Sequence, residues 1–386
     1  GINGKSTVDM KKAETFTAQG WNFTSPGGIW TIVAGTNPTS WSYPYFQWME
    51  VPGWDVTQAP GYGGNFFANG SGTANDPYQI TSAAELNAIR YNLKAHYILT
   101  TTVAINSSEF SSGGTFYNEG KGWNPIGTSA KPFKGKFNGN GMTISGLYLS
   151  YGDSDSNIGF FGYIGSPAVI SRAAITNITV SGLATNVGGL VGYSNGGKIV
   201  RSFVSGTIEG GSNVGGLLGR NEGNGEVNTS YATSNVSGSG VNIGGLLGKN
   251  ASGSSITNAY ATGSVTGGDK VGGLLGWNGG IIQFTYAANG VTGTSIIGGL
   301  IGENTADSGF VSDSFWDNLV SQATAGVASG DGIGITGATT TAMKTKGTFT
   351  NSPSAWDFSK IWTINEGTYP LFIVYTSEGG GDTGDG

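Results

Sequence analysis

The side chains that could do acid–base chemistry are few in this 386-residue chain, which contains one histidine and no cysteine. A zinc peptidase of the HExxH type needs two histidines, and a Ser-His-Asp arrangement would have to be built on His96 alone. His96 lies in the segment KAHYIL, and we expect it to be structural or solvated. The sequence therefore predicts no catalytic residue, no cofactor and no metal site of the common zinc types.

Paired carboxylates are the remaining source of catalysis, because polysaccharide hydrolases use two acids about 5 to 10 Å apart. The acids of the repeat region stand at differing positions, mostly where turns are expected, and we interpret them as solvated. They are Glu209, Glu222, Glu226, Asp269, Glu303 and Asp307. A carbohydrate-active hydrolase or lyase stays an alternative function.

One short acidic segment resembles a calcium-binding loop. The sequence DSDSN places Asp153, Asp155 and Asn157 at the first, third and fifth positions of such a loop. Ile158 occupies the position where these loops need glycine, and no glutamate follows at the twelfth position. We therefore interpret the segment as a polar turn.

Composition excludes several partners. The net charge of −6 provides no basic field to attract nucleic acid, and no stretch reaches the ~18 apolar residues of a membrane span. Charged residues make up only 11% of the chain, against about 25% in an average soluble domain. Glycine is abundant, with 71 residues, but lacks the period of collagen. This composition is typical of extended, secreted, all-β repeat proteins.

A short glycine-rich phrase recurs through the middle of the chain. It reads VGGLVG at 187, VGGLLG at 214, IGGLLG at 243, VGGLLG at 271 and IGGLIG at 297, with IGFFG at 158 as a divergent relative. Successive starts differ by 26 to 29 residues, and two β-type segments are expected in each unit. Units this short cannot bury their own apolar face, so they must stack as the coils of a β-solenoid.

Each phrase contributes a leucine to a predicted inward ladder, because the two-residue period of a strand sends equivalent positions to the same side. The following position is also apolar, so the chain either bends there or is covered by a second layer. The predicted ladder consists of Leu190, Leu217, Leu246, Leu274 and Leu300.

A helix is predicted before the repeats, at about residues 83–93. Ser82 and Glu85 form a capping box, and Leu86, Ile89 and Leu93 share one helical face. We expect this helix to cover the open end of the first coil and to protect its strand edge from other chains.

The organisation predicted from these features has four parts. Residues 1–60 duplicate the closing segment at 332–376, and residues 61–331 form the solenoid, with the coils of the glycine-rich phrase at 157–316. Residues 377–386 are a Gly/Asp-rich tail or linker.

The duplication is visible as DMKKAETFTAQGWNF, GIWTI and YPYF near the start, against AMKTKGTFTNSPSAWDF, KIWTI and YPLF near the end. An apolar segment with no solenoid of its own to cover is expected to bind a partner surface. The predicted docking aromatics are Trp21, Phe23, Trp30, Trp41, Phe46 and Trp48.

The coils, with their phrases VGGLVG and SYAT, resemble the GLUG-motif repeats of secreted and cell-surface bacterial proteins. The flanking segments GSGTANDPYQITSAAEL, WNPIG and FNGNG, and the exit WDF with IWTI, are similar to the usual flanks of those repeats. The resemblance implies a right-handed parallel β-helix within large adhesin-like exoproteins, sometimes beside a metallopeptidase domain that attacks immunoglobulin. It implies no catalysis by the repeats themselves.

The sequence thus predicts a non-catalytic module located outside the cell or at its surface. It would act as a rigid spacer, an adhesin stalk or a filament subunit, joined head to tail to copies of itself or to neighbouring modules. A glycan-binding module with exposed Trp or Tyr along a groove is a further alternative.

Overall fold

The computed structural model describes residues 66–305, 308–365 and 367–373, together with the strand residues 30–31 and 45–46. The chain divides into two units, Gly1–Ala68 and Asn69–Gly386. In the first unit, β1 (Trp30–Thr31) and β2 (Tyr45–Phe46) pair antiparallel. The predicted tail at 377–386 lies outside the described residues.

The second unit is all-β and forms a parallel β-solenoid of about seven turns, as the sequence predicted. Equivalent strands of successive coils pair in parallel, and one of the sheets runs through seven coils. In chain order the solenoid strands are β3 (Tyr78–Ile80), β4 (His96–Leu99), β5 (Val103–Ala104), β6 (Lys136–Asn138), β7 (Thr143–Ser145), β8 (Tyr148–Tyr151), β9 (Ser156–Ile158), β10 (Phe161–Gly165), β11 (Val169–Ser171), β12 (Ala174–Gly182), β13 (Thr185–Gly188), β14 (Val191–Asn195), β15 (Lys198–Val200), β16 (Phe203–Gly210), β17 (Val214–Gly215), β18 (Leu218–Glu222), β19 (Glu226–Ala232), β20 (Asn235–Gly244), β21 (Leu247–Asn250), β22 (Ser255–Ala261), β23 (Val265–Gly272), β24 (Leu275–Asn278), β25 (Ile281–Ala287), β26 (Val291–Gly298), β27 (Ile301–Asn304), β28 (Phe310–Ser312), β29 (Ser314–Asp317), β30 (Val327–Gly330) and β31 (Ile335–Ala338).

Helical turns occur before and after the repeats. Among the described residues, the α-helices are α1 (Ala83–Ala88), α2 (Thr340–Met343) and α3 (Lys346–Thr350), and short 3-10 turns are at Ile89–Tyr91, Ser107–Phe110 and Asn118–Gly120. The closing segment ends with β32 (Trp362–Thr363) and β33 (Leu371–Phe372), which pair antiparallel.

A regular coil such as β19, β20 and β21 contains three strands, so the prediction of two β-type segments per coil was wrong. The recurring segment TSYATSNVSG at 229–238 reads as one β-type segment in the sequence. It lies across the junction at Thr233 and Ser234, where β19 ends and β20 has not yet begun. The glycine-rich phrase likewise belongs to two strands.

The chain bends within each glycine-rich phrase. The bend, rather than a second covering layer, therefore explains why two consecutive residues of the phrase are apolar. After β17 the backbone turns at Gly216 and Leu217, and β18 continues in the other sheet. Both Leu217 and Leu218 are buried at this corner. A Cβ at Gly216 would lie 2.4 Å from the carbonyl oxygen of Gly245 in the next coil, so only glycine permits this approach.

The five leucines of the predicted ladder lie at this corner in successive coils, each 0% exposed. The amide of each leucine donates to the carbonyl of the next, with N···O distances of 2.9 to 3.1 Å between Leu190, Leu217, Leu246, Leu274 and Leu300.

Buried asparagines form a second ladder inside the solenoid. The side-chain amide of each donates to the side-chain carbonyl of the next, at 2.8 to 3.1 Å. The amide therefore satisfies a group that would otherwise be buried without a partner. The members are Asn221, Asn250, Asn278 and Asn304.

Another asparagine column occupies left-handed backbone positions, with φ between 53° and 63°. Asparagine tolerates this conformation better than other residues with a Cβ. Side-chain hydrogen bonds of 2.7 to 2.9 Å join its members, which are Asn157, Asn186, Asn213 and Asn242.

Helix α1 begins as predicted but ends earlier than residue 93. The Ser82 hydroxyl accepts the Glu85 amide, and the Glu85 carboxylate accepts the amide and hydroxyl of Thr81. A 3-10 turn follows at Ile89–Tyr91, and Asn92 then leaves the helical conformation, with φ −138° and ψ 80°. The next carbonyl, that of Leu93, accepts the amides of Lys134 and Gly135. Tertiary pairing thus overrides the local helical pattern.

We expect Leu246→Ala, in the middle of the leucine ladder, to reduce the free energy of unfolding by about 2 to 5 kcal/mol, because it leaves a cavity among close-packed side chains. Urea denaturation measures this loss. Leu183 is 50% exposed, so Leu183→Ala should change the free energy of unfolding by less than about 0.5 kcal/mol. Equal losses in the two variants would contradict the ladder's role.

Candidate functional sites on the outside of the solenoid

A row of aromatic rings stands on the outer side of the solenoid. Phe203, Tyr231, Tyr260 and Tyr286 occupy equivalent positions of β16, β19, β22 and β25. Their neighbours in the chain, such as Ser230 and Ala232, are buried on the inner side, and strand alternation turns the rings outwards. Successive ring centroids are 4.6 to 4.9 Å apart with planes within 7° of parallel. Below we call this row the aromatic ladder.

The closing segment packs on the last rungs of the aromatic ladder. Trp362 and Phe372 pair across β32 and β33, with ring centroids 4.5 Å apart. The Phe372 ring lies 5.4 Å from Tyr260, and the Trp362 ring lies 6.2 Å from both Tyr260 and Tyr286. The segment therefore covers the side of the solenoid, where Tyr260 and Tyr286 become buried.

Other apolar side chains of the closing segment join the same cluster. Phe315 continues the ladder beyond Tyr286, and the Phe349 ring packs against it at 4.9 Å. The cluster also contains the buried Trp356 and Met343.

Polar tips within this cluster are paired. The Tyr286 hydroxyl donates to the Pro370 carbonyl at 2.7 Å, and the Trp362 indole donates to the Asn258 side chain at 3.2 Å. The Trp356 indole donates to the Asp313 carbonyl at 3.0 Å. The Tyr369 hydroxyl donates to the Asp317 carboxylate at 2.7 Å. We call the surface formed by Asn258, Tyr260, Tyr286, Asp313, Phe315 and Asp317 the aromatic seat.

Burial in the aromatic seat affects the protonation of its two tyrosines. It raises the pKa of both Tyr260 and Tyr286 above the ordinary value of 10, because the tyrosinate form would lose its hydration. Neighbouring tyrosines raise both pKa values further. The two hydroxyls are therefore neutral at physiological pH.

A second surface, the charged strip, lies on the outer side of the seven-stranded sheet. It consists of the side chains that follow each glycine-rich phrase, and pairing places them in one column. In order, they are Tyr163, Tyr193, Arg220, Lys249, Trp277 and Glu303.

Glu222, two residues after Arg220 at the end of β18, also belongs to the charged strip, because its side chain binds two members of the column. Its carboxylate accepts hydrogen bonds from the Arg220 guanidinium and the Tyr193 hydroxyl. Partial burial opposes ionisation of Glu222, but these two hydrogen bonds and the positive charges of Arg220 and Lys249 together outweigh it and lower the pKa. A glycosidase acid needs the opposite shift, so Glu222 is poorly suited to donate a proton.

The members of the strip that follow Arg220 are also paired with one another. The Lys249 ammonium lies 4.6 Å from the centre of the Trp277 ring, and the Trp277 indole donates to Glu303 at 2.9 Å. Glu303 also forms an ion pair with Lys270 at 3.0 Å. Partial burial and the nearby Arg220 lower the pKa of Lys249.

His96, which was expected to be structural or solvated, is the first residue of β4. Partial burial and the neighbouring Lys136 lower the pKa of His96, which favours the neutral imidazole. Within the described residues, no group of three or more His, Asp or Glu side chains could hold a metal ion.

The candidate acids were expected mostly in turns, but those that the structure describes lie in strands. Glu209 is in β16, Glu226 begins β19 and Asp269 is in β23. Glu222 and Glu303 belong to the charged strip, and Asp307 lies outside the described residues.

The acidic segment DSDSN contributes to the scaffold. Asp155 pairs with Lys121 at 3.2 Å and accepts the amide of Gly152, while Asn157 begins the left-handed asparagine column. These contacts agree with a polar turn.

Most of the predicted docking aromatics cannot be placed. Trp21, Phe23, Trp41 and Trp48 lie outside the described residues. For Trp30 and Phe46, the structure describes the backbone, which pairs them across β1 and β2.

The sequence reasoning missed the aromatic ladder, the asparagine ladders and the charged strip. A signal for each was present, because the repeats carry Phe or Tyr in SFV, SYA, AYA and TYA, and Asn in RNE, KNA, WNG and ENT. Reading each repeat position as a column, rather than each coil as a unit, would have found them.

Comparisons with known proteins agree with this architecture. The sequence profile of the GLUG motif matches residues 239–266, which confirms the resemblance of the chain to GLUG-motif repeat proteins. A solved structure described as a "putative immunoglobulin A1 protease" of Bacteroides ovatus superposes with a TM-score of 0.59 over 80% of this chain and 96% of that chain. At 22% identity this likeness shows the fold alone.

Two curated relatives are similar in sequence. A "Putative Gly-rich membrane protein" of Evansella cellulosilytica is 32% identical over 190 residues, which cover 41% of this chain and 21% of the relative. Halomucin of Haloquadratum walsbyi is 35% identical over 174 residues, which cover 44% of this chain and 2% of the relative. The chain thus spans a small part of both relatives. Among the described residues, no helix is long and apolar enough to cross a membrane.

We expect the closing segment to lose stability as the pH rises above about 10, the pKa of an unburied tyrosine. Below that pH, Tyr260 and Tyr286 are protonated in both the folded and the unfolded chain. Above it, tyrosinate forms in the unfolded chain while the raised pKa values keep both buried tyrosines protonated, so the free energy of unfolding falls. Urea midpoints measured between about pH 8 and pH 11 test this.

Tyr286→Phe should weaken the pH dependence, because it removes one of the two buried hydroxyls, although it also removes the hydrogen bond to Pro370. Tyr91, which is 45% exposed, provides the control Tyr91→Phe. An alkaline transition of the same size in the wild type and Tyr286→Phe would contradict the assignment.

Proposed function

We propose that this chain is a non-catalytic, rigid structural module that functions outside the cell or on its surface as a spacer. The observation that carries the proposal is the uninterrupted pairing of equivalent strands through seven coils. Leucine and asparagine ladders fill the interior along the same direction. Such a stack resists bending and extension, because any movement between two coils breaks a row of hydrogen bonds.

The surface location is supported by the relatives and by the composition. One relative is named a membrane protein. The GLUG motif matches residues 239–266, and the resemblance to GLUG-motif repeats implies a secreted or cell-surface protein. The low charge and the abundance of Gly also suit an extended extracellular repeat.

The charged strip favours a structural role over catalysis or glycan binding. Its carboxylates are held in ion pairs with Arg220 and Lys270. Sugar rings bind aromatic side chains through an open ring face, but Tyr163 and Tyr193 stack on each other at 4.6 Å, and Lys249 covers one face of Trp277. The strip therefore uses its aromatic faces for contacts between coils.

Rigidity can be measured directly, because the chain has no cysteine and accepts two site-specific spin labels without background. Lys198 and Phe310 lie in one column of the solenoid, four pairing steps apart. At a coil rise of about 4.8 Å, their Cα atoms should be roughly 19 Å apart. We expect one narrow distance distribution for labels at Lys198→Cys and Phe310→Cys.

The matched pair uses Lys198→Cys and Ile281→Cys, which is one coil shorter. Its distribution should be equally narrow and centred about 5 Å lower. Broad distributions for both pairs would contradict a spacer role, even if the fold is correct.

The proposed location predicts that gold-conjugated antibodies against residues 69–373 label intact cells that produce the protein. Lysed cells serve as the control for antibody binding. Labelling that appears only after lysis would refute a surface or extracellular location.

A further inference from the structure

The closing segment has a copy near the start of the chain, in which the matching residues keep their order although the spacers between them differ in length. The side chains that fill the aromatic seat from the closing segment each have a counterpart of the same type. In order, Met343, Phe349, Trp356, Trp362, Tyr369 and Phe372 correspond to Met10, Phe16, Trp21, Trp30, Tyr43 and Phe46. The copy therefore includes the residues that bury apolar surface at the seat.

The backbone pairing of the copy supports the same conclusion independently. In the closing segment, Trp362 pairs with Phe372 and Thr363 with Leu371. In the first unit, Trp30 pairs with Phe46 and Thr31 with Tyr45, also antiparallel. The counterpart residues thus form the same two-residue ladder in the same register, although the connection between the strands is longer near the start.

Groups that make the polar contacts at the seat are also repeated. Pro370, whose carbonyl accepts the Tyr286 hydroxyl, corresponds to Pro44. The donors Trp356, Trp362 and Tyr369 have an indole or a phenol at the matching position. A segment with these groups could satisfy each polar tip that the closing segment satisfies.

The seat of this chain is already filled. Tyr286 is fully buried beneath its own closing segment, and the acceptors Asn258, Asp313 and Asp317 are used by it. A seat can therefore hold one such segment. To dock in the same way, the copy needs another solenoid with an uncovered aromatic seat.

We propose that residues 10–46 are a second closing segment, which docks on the aromatic seat of another GLUG-type solenoid. The partner is a solenoid with Tyr and Phe in the ladder positions and without a closing segment on them. This deepens the proposed structural role, because it gives two solenoids a defined joint at the side of the coil stack. Of the predicted docking aromatics, Trp21, Phe23, Trp30 and Phe46 have counterparts in the closing segment, while Trp41 and Trp48 have none.

A transplant within the full chain tests whether the copy fits the seat. Residues 343–372 are replaced by residues 10–46, and the melting temperature is compared with the wild type. We expect a melting temperature within about 5 °C of the wild type. The same transplant with Trp30→Ala and Phe46→Ala in the transferred segment should melt at clearly lower temperature, as should a chain that ends at Ala338.

A binding experiment tests docking between two chains. The receptor is the chain that ends at Ala338 and carries Trp30→Ala and Phe46→Ala in its own first unit, so that its seat is open and its copy disabled. The full-length wild type is the ligand. Sedimentation velocity should show a 1:1 complex that is absent when the ligand carries Trp30→Ala and Phe46→Ala, or when the receptor keeps its closing segment.

The proposal is overturned if the transplant melts like its double-alanine version. If circular dichroism shows that the receptor is unfolded, the transplant experiment alone tests the proposal, because the transplanted chain keeps its seat covered. A folded receptor that does not bind the wild-type ligand also overturns it. The spin-label distances are independent of these outcomes, so a failed joint and a failed spacer are distinguishable.

Discussion

Stacking in parallel register is the constraint on which the rest of this structure depends. Each position of a coil lies directly against the equivalent position of the next coil, so every residue must be compatible with its own copy about 4.8 Å away. Leucine meets this condition by burial, and tyrosine by ring stacking. Asparagine meets it because its side chain carries both a donor and an acceptor. Like charges at this distance repel, which gives a physical reason for a charged fraction of only 11%.

The charged strip shows how the exceptions are accommodated. Arg220 lies opposite Lys249 in the column, which alone would be unfavourable. Glu222 binds the guanidinium of Arg220, and Trp277 receives the ammonium of Lys249 on its ring face. Each cation is thus turned towards a partner of its own, and the column continues through both coils.

The architecture could be predicted from sequence because its signal is repeated, whereas the aromatic seat could not. Five copies of one phrase specify the coil and the inward leucine. A tyrosine such as Tyr260, however, has the same local pattern whether it faces solvent or is covered. Its burial depends on a segment about 100 residues later in the chain, as in the hydrogen bond from Trp362 to Asn258. The helix prediction failed at Leu93 for a related reason, since the amides of Lys134 and Gly135, more than 40 residues later in the chain, donate to the Leu93 carbonyl.

Because of where the aromatic seat lies, the number of coils in the solenoid can vary independently of the closing segment that covers its end. The seat uses side chains from Asn258 onwards, and the coils between β12 and β18 contribute none of its polar acceptors. A coil could therefore be gained or lost in that part of the gene without disturbing the terminus. Unequal recombination would then change the length of the solenoid in steps of one coil rise. Every length variant would keep the same closing segment on the same aromatic seat.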